Sequence, residues 1–205
     1  MSGETRRHRE PVHFITELEQ IECLVSPVRG LLLSTLCGAG PCSVGELARL
    51  VGRKPRALYY HLDALVDSGL VVEVGTRPTR RRQETLYDSI ADTVMLDERT
   101  QRDPAWQDAH RRAVAATLRQ TMRGYDMAIE HAAALEPDHA PEMRMQSMQA
   151  QLDEEGLKTV LARLEELLSE MRREREKRNG PFYTLTVTLG PVVDAVHPGD
   201  QDDAS

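Results

Sequence analysis

The chain is 205 residues long with a formal net charge of −7; aromatics make up 4% of it and charged residues 29%. That length fits one domain with a long extension, or two small domains. No stretch approaches the roughly 18 apolar residues of a membrane span, the first ten residues lack the apolar core of a secretory signal, and three cysteines do not build a disulfide framework, so a soluble cytoplasmic protein with no membrane partner is expected.

Residues 1–11 are polar and charged and end in Pro11, which predicts a disordered tail, with Arg6, Arg7 and Arg9 solvated rather than forming a minor-groove arm. Phe14, Leu18, Ile21 and Val25 fall on one face of a helix over 12–25. Ser26-Pro27 then offers an N-cap and a first-turn proline. The helix it opens carries Leu31, Leu32, Leu33 and Leu36 and ends at Gly38-Ala-Gly-Pro41. Ser43-Val-Gly-Glu46 has the form of a capping box, opening a short helix with Val44, Leu47, Ala48 and Val51 inward and Gly52 at its end. Lys54-Pro55 starts a third helix, with Leu58, Leu62, Leu65 and Val66 inward and Ser68-Gly69 closing it. Leu70–Val74 reads as a strand, Gly75–Gln83 as a polar loop and Glu84–Tyr87 as a return strand.

Beyond residue 88 the pattern changes to long helices. Between Pro104 and Ala134, Trp106, Ala109, Val114, Leu118, Met122, Tyr125 and Ile129 recur every three to four residues. The stretch 136–141 is a break. Asp153 caps a helix whose Leu157, Leu161, Leu164, Leu168 and Met171 are heptad-like over about two heptads. Asn179-Gly180-Pro181 stops it, and 183–189 alternates as a half-buried strand does. The tail from His197 is acidic.

An acidic chain disfavours a nucleic-acid partner, because phosphate calls for a basic face. Here, however, charge is sorted along the chain. From Arg49 to Arg82 eight basic residues face three acids, leaving +5 in that window and −12 elsewhere. Helix, helix, turn, helix, strand, basic loop, strand is the layout of a winged helix-turn-helix, whose third helix enters the major groove. The residues also resemble a family. Ser26-Pro-Val-Arg29, Val44-Gly-Glu-Leu-Ala-Arg-Leu-Val51 and Leu58-Tyr-Tyr-His-Leu-Asp-Ala-Leu-Val-Asp-Ser-Gly-Leu-Val71 are similar, in that order, to segments of arsenic-repressor-like (ArsR-type) regulators. The resemblance covers about residues 14–90. It implies a prokaryotic transcriptional regulator that binds a double-stranded DNA operator as a homodimer.

The candidate DNA-binding residues follow from helical geometry. With Leu58, Leu62 and Leu65 inward, Arg56, Tyr59 and Tyr60 face outward, and Lys54 and Arg56 lie at the helix start that reaches bases. Ser43 is placed with them. The alternative for the tyrosine pair is packing, with one ring turned in. Arg77, Arg80, Arg81 and Arg82 lie in the loop between strands, for phosphates or a minor groove, unless that loop is merely solvated. His61, beside the buried stripe, is read as a structural histidine.

The remainder of the chain carries few residues of the kinds that sense metals or ligands. Cys37 and Cys42, with Cys23 one helix earlier, are the only thiols for a soft metal; the plainer reading is small buried hydrophobes. Asp108-Ala-His110 matches the start of a zinc pattern of the resembled family, but Thr121 and Gly124 stand where further ligands belong. No phosphate-cradling glycine loop, nucleophile elbow or His-Glu-x-x-His is present, so no enzyme and no cofactor is expected. Met122, Met127, Met143, Met145 and Met148 either fill a core or line an adaptable pocket for an unidentified small-molecule effector.

The expectation is therefore a mainly α protein with a small β-wing. It has a tail at 1–11, a winged helix-turn-helix at 12–95, a helical dimerisation or effector region at 96–190 and an acidic tail at 191–205. The expected function is that of a homodimeric repressor. Two alternatives stay open: a thiol-based metal or redox sensor using Cys37 and Cys42, and a protein-binding adaptor that reuses the fold.

Overall fold

The computed structural model describes residues 9–79, 83–96, 103–135, 142–175 and 182–191. The chain opens with a strand, β1 (Glu10–Ile15), where a tail running into one long helix was expected. The helix proper, α1, is only Leu18–Leu24. β1 pairs in parallel with β5 (Ala91–Leu96), Glu10 opposite Ala91 and Ile15 opposite Leu96. Sequence reading missed both strands because a parallel ladder joins segments some eighty residues apart and leaves no local turn signal. Pro11, which has no amide hydrogen, is accommodated because this sheet has two strands and each keeps an open edge.

Arg9, expected in a solvated tail, is instead clamped inside. Its Nε donates to Asp88 at 2.9 Å, and its terminal nitrogens reach Asp88 again, Asp92 at 3.0 Å and the carbonyls of Leu36 and Cys37. Asp88 is 1% exposed. Burial alone would lower the guanidinium's proton affinity, but the two carboxylates outweigh it and raise it.

Helix α2 (Pro27–Ala39) begins with Pro27 in its first turn, although the Ser26 side chain makes no capping bond. It ends at Gly40, whose φ of 78° is the left-handed conformation that only glycine adopts freely. β2 (Cys42–Ser43) and α3 (Val44–Leu50) follow, and both bonds of the expected capping box are present. Gly52, φ 64°, turns the chain. The expected third helix is split: Pro55–Ala57 is a 3-10 turn and α4 is Tyr59–Asp67.

Two antiparallel strands, β3 (Val71–Pro78) and β4 (Gln83–Ser89), form the wing, and β2 adds to the far side of β4. Of the expected loop at 75–83, residues 75–78 and 83 are strand. The register shifts between Glu73 and Gly75, and the ladder continues to Pro78 opposite Gln83. This is a bulge, which increases twist without ending the pairing.

Helix α5 (Pro104–Ala133) starts at Asp103, whose carboxylate accepts from the Ala105 amide at 2.9 Å. Its first turns carry Trp106, Ala109 and Ala113 into the core built by Ile15, Ile21, Leu32, Leu36, Leu47, Leu58, Leu62, Leu65, Leu70 and Val71. After Ala116 no residue of α5 is buried, and Leu118, Met122, Met127 and Ile129 are exposed. Helix α6 (Glu154–Arg175) begins where expected, directly after Asp153; the expected stop at Asn179-Gly180-Pro181 lies outside the described residues. Among its described side chains none is buried. It is fastened by Arg172, which donates to Thr93 at 2.7 Å. Residues 182–191 form no strand, although their alternation suggested one; alternation needs a partner strand, and none pairs with them among the described residues. Thr186 instead shares a 2.9 Å hydrogen bond with Thr121 of α5. Met122, Met127, Met145 and Met148 are all more than half exposed, so they neither fill the core nor enclose a pocket. Among the described residues, no single helix is long and apolar enough to cross a membrane.

Candidate nucleic-acid interface

The face that matters is built by α3, the turn at Gly52 and α4. Leu47, Leu58, Leu62 and Leu65 are fully buried and hold α4 against the body of the protein. At 100° per residue the opposite face must then present Tyr60, Asp63 and Asp67, and all three are exposed. Tyr60 stands out most, at 74% exposure. Tyr59 is 44% exposed and leans toward the wing, over a hollow lined by Ser43, Gly45, Gln83, Thr85 and Tyr87. Neither ring is packed into the core, so the inward alternative for one of them does not apply. Tyr87 across the hollow is buried, and its phenol is pushed up by that burial and by the nearby carboxylates of Glu73 and Asp63.

Lys54 and Arg56 are exposed at the start of this unit and have no ion-pair partner among the described residues. Arg77 differs. It is half exposed, but its guanidinium lies 2.8 Å from Glu46 and 3.9 Å from Glu84. Glu46 therefore serves two purposes, accepting from the Ser43 amide at 2.8 Å and gripping the wing through Arg77. Burial would raise its carboxyl, yet the Ser43 amide and Arg77 together hold it below the ordinary value. Ser43, nominated for DNA contact, is 2% exposed, and its hydroxyl accepts from the Glu46 amide; it shapes α3 and presents no surface. Arg80, Arg81 and Arg82 lie outside the described residues.

Two cations not nominated from the sequence also stand here. Arg29 of α2 and Arg53 of the turn are both close enough to His61 for their charge to bear on it. His61 sits on the flank of α4 opposite Tyr59, its ring edge-on to Tyr60 at 5.5 Å. Arg53 belonged to the basic island in the sequence; Arg29 is 24 residues upstream of it, and only folding brings the two together.

The thiols are each engaged in the packing of the domain. Cys37 Sγ donates to Ser89 Oγ at 3.4 Å, Cys23 Sγ to the Ala64 carbonyl at 3.5 Å, and Cys42 is buried in β2 opposite Tyr87. Asp108 pairs with Arg112 at 2.8 Å, while His110 packs edge-on against Trp106. Among the described residues no group of three or more His, Cys, Asp or Glu side chains is arranged to hold a metal.

Residues 24–74, about a quarter of the chain, match the helix-turn-helix domain family. That segment runs from the end of α1 through α2, α3 and α4 into β3, so the exposed face of α4 belongs to a helix-turn-helix domain, the class of DNA-binding regulators. No curated protein matches the chain.

Proposed function

We propose that the protein is a sequence-specific, homodimeric transcriptional repressor. It reads a double-stranded operator with α4 in the major groove and touches the backbone or minor groove with the wing. The observation that carries this reading is the outward face of the helix-turn-helix. Tyr60, Lys54 and Arg56 are exposed on it, and neither cation is neutralised by an acid among the described residues. Such a face offers hydroxyl and cationic donors to base edges and phosphates. The DNA-reading unit is 12–95, and dimerisation falls to 96–190, where the distal half of α5 and the first turns of α6 carry apolar residues left exposed by the described chain. A two-fold dimer sets two recognition helices one turn of DNA apart. Such a protein works in the cytoplasm, at the nucleoid.

The test is selection of bound duplexes from genomic DNA, followed by affinity titration of the full chain across salt concentrations. Binding falls steeply with salt. Tyr60→Ala and Arg56→Gln change which sequences are preferred. Replacing Arg80, Arg81 and Arg82 together weakens binding to every duplex and flattens the salt dependence. A chain that prefers no duplex over random DNA would refute the reading.

A further inference from the structure

The two flanks of α4 are electrostatically unequal. Tyr59 and His61 are two residues apart, so they point about 200° from one another around the helix. On the Tyr59 flank lies the wing, whose described arginine, Arg77, is already tied to Glu46 and Glu84. On the His61 flank lie Arg29 and Arg53, contributed by α2 and by the turn after α3, and neither side chain makes a hydrogen bond or ion pair among the described residues. Arg29 Nε is buried with no hydrogen-bond partner, and so is His61 Nδ1. A buried donor left unmade is costly, and native structures keep few of them. Two cations without an ion pair, from two elements, bear on a histidine of a third, with no acid among the described groups that bear on it; that is the composition of an anion site.

We infer that Arg29, Arg53 and His61 together hold one phosphate of the DNA backbone, on the side of the recognition helix away from the wing. The inference rests on the DNA-binding reading above and extends it. A helix lying in a groove about 12 Å wide has a phosphate ridge on each side. The wing meets one ridge, and this cluster meets the other. Together they fix the rotation of α4 about its axis, and hence which side chains reach the bases, while reading no sequence themselves. Burial, together with the charges of Arg29 and Arg53, holds the His61 imidazole below its usual pKa. The two guanidiniums supply the charge that meets the phosphate.

The experiment compares the full-length protein with R29Q/R53Q and R29K/R53K, on a selected duplex and a random duplex of about 20 base pairs, from 50 to 200 mM salt. One neutralised phosphate contributes about 0.9 to the slope of log affinity against log salt. The glutamine pair is expected to flatten that slope by about 1 on both duplexes and to leave their affinity ratio unchanged; the lysine pair keeps the slope. Thermal melting of each variant checks folding, and if R29Q unfolds, R53Q alone, altered at an exposed turn residue, is read in the same way. An unchanged slope in a folded variant overturns the phosphate site while leaving the DNA-binding reading intact. A wild-type chain that binds neither duplex overturns both.

Discussion

The helices around α2 and the two long helices that follow carry the same amphipathic pattern, yet they end in different situations. In the first group Leu32, Leu36, Leu47, Leu58, Leu62 and Leu65 lose all contact with solvent, because strands and helices close over them from several sides. In α6 no member of the corresponding stripe is buried: Leu157 and Leu161 are at least 40% exposed, and Leu164, Leu168 and Met171 are only partly covered. α5 contains both cases, buried up to Ala116 and exposed beyond it. An apolar stripe states that a face seeks cover; it does not state what provides it.

The sharpest way to break this contrast is to attack what holds the first region together. Arg9→Ala leaves Asp88 buried without its cation, and breaking such a pair costs about 3–5 kcal/mol. A loss of that size is expected in denaturant unfolding, and one under about 1 kcal/mol would show that the clamp is incidental. Next comes a matched pair of substitutions. Leu32→Ala empties part of the core and costs about 3 kcal/mol. Leu161→Ala, at 47% exposure, costs under about 0.5 kcal/mol in a dilute monomer but weakens self-association measured by sedimentation. Equal costs for the two would erase the distinction.

Smaller effects sharpen the picture. Ser43→Ala removes the side-chain half of the capping box and is expected to lower the melting stability by about 1 kcal/mol. The smallest effect is a pH dependence at His61. Its folded-state pKa is depressed, by burial first and then by Arg29 and Arg53. The unfolded chain therefore takes up more protons, and the contribution is fully present above 6.5 and is lost as pH falls through the depressed value. Melting across pH 7.5 to 5 should show this decline, and His61→Gln should lack it.

The limits of sequence reading follow the same division. Helices α2, α3, α5 and α6 were legible to within a few residues because their signals are local: Pro27 and Gly40 at the ends of α2, the Ser43–Glu46 box, Asp103-Pro104, and Asp153 before α6. The helix-turn-helix order was legible for the same reason, and it brought Tyr60, Lys54 and Arg56 to notice. The β1–β5 ladder was not, since each strand is short and its partner distant. The alternation at 183–189 misled because it carries no information about a partner.

Local chemistry written in the chain thus determined where α2, α3, α5 and α6 begin, and that a basic island lies within an acidic protein. Tertiary structure alone decided which charges are free to act. Arg9, which looked like a loose end, became an enclosed cation, because Asp88 waits in a low-dielectric interior where an unpaired charge is costly. Arg77 was drawn to Glu46. Arg29, not nominated for DNA contact from the sequence, came to stand near His61 together with Arg53, because helices crossing in space bring together side chains that spacing along the sequence cannot relate.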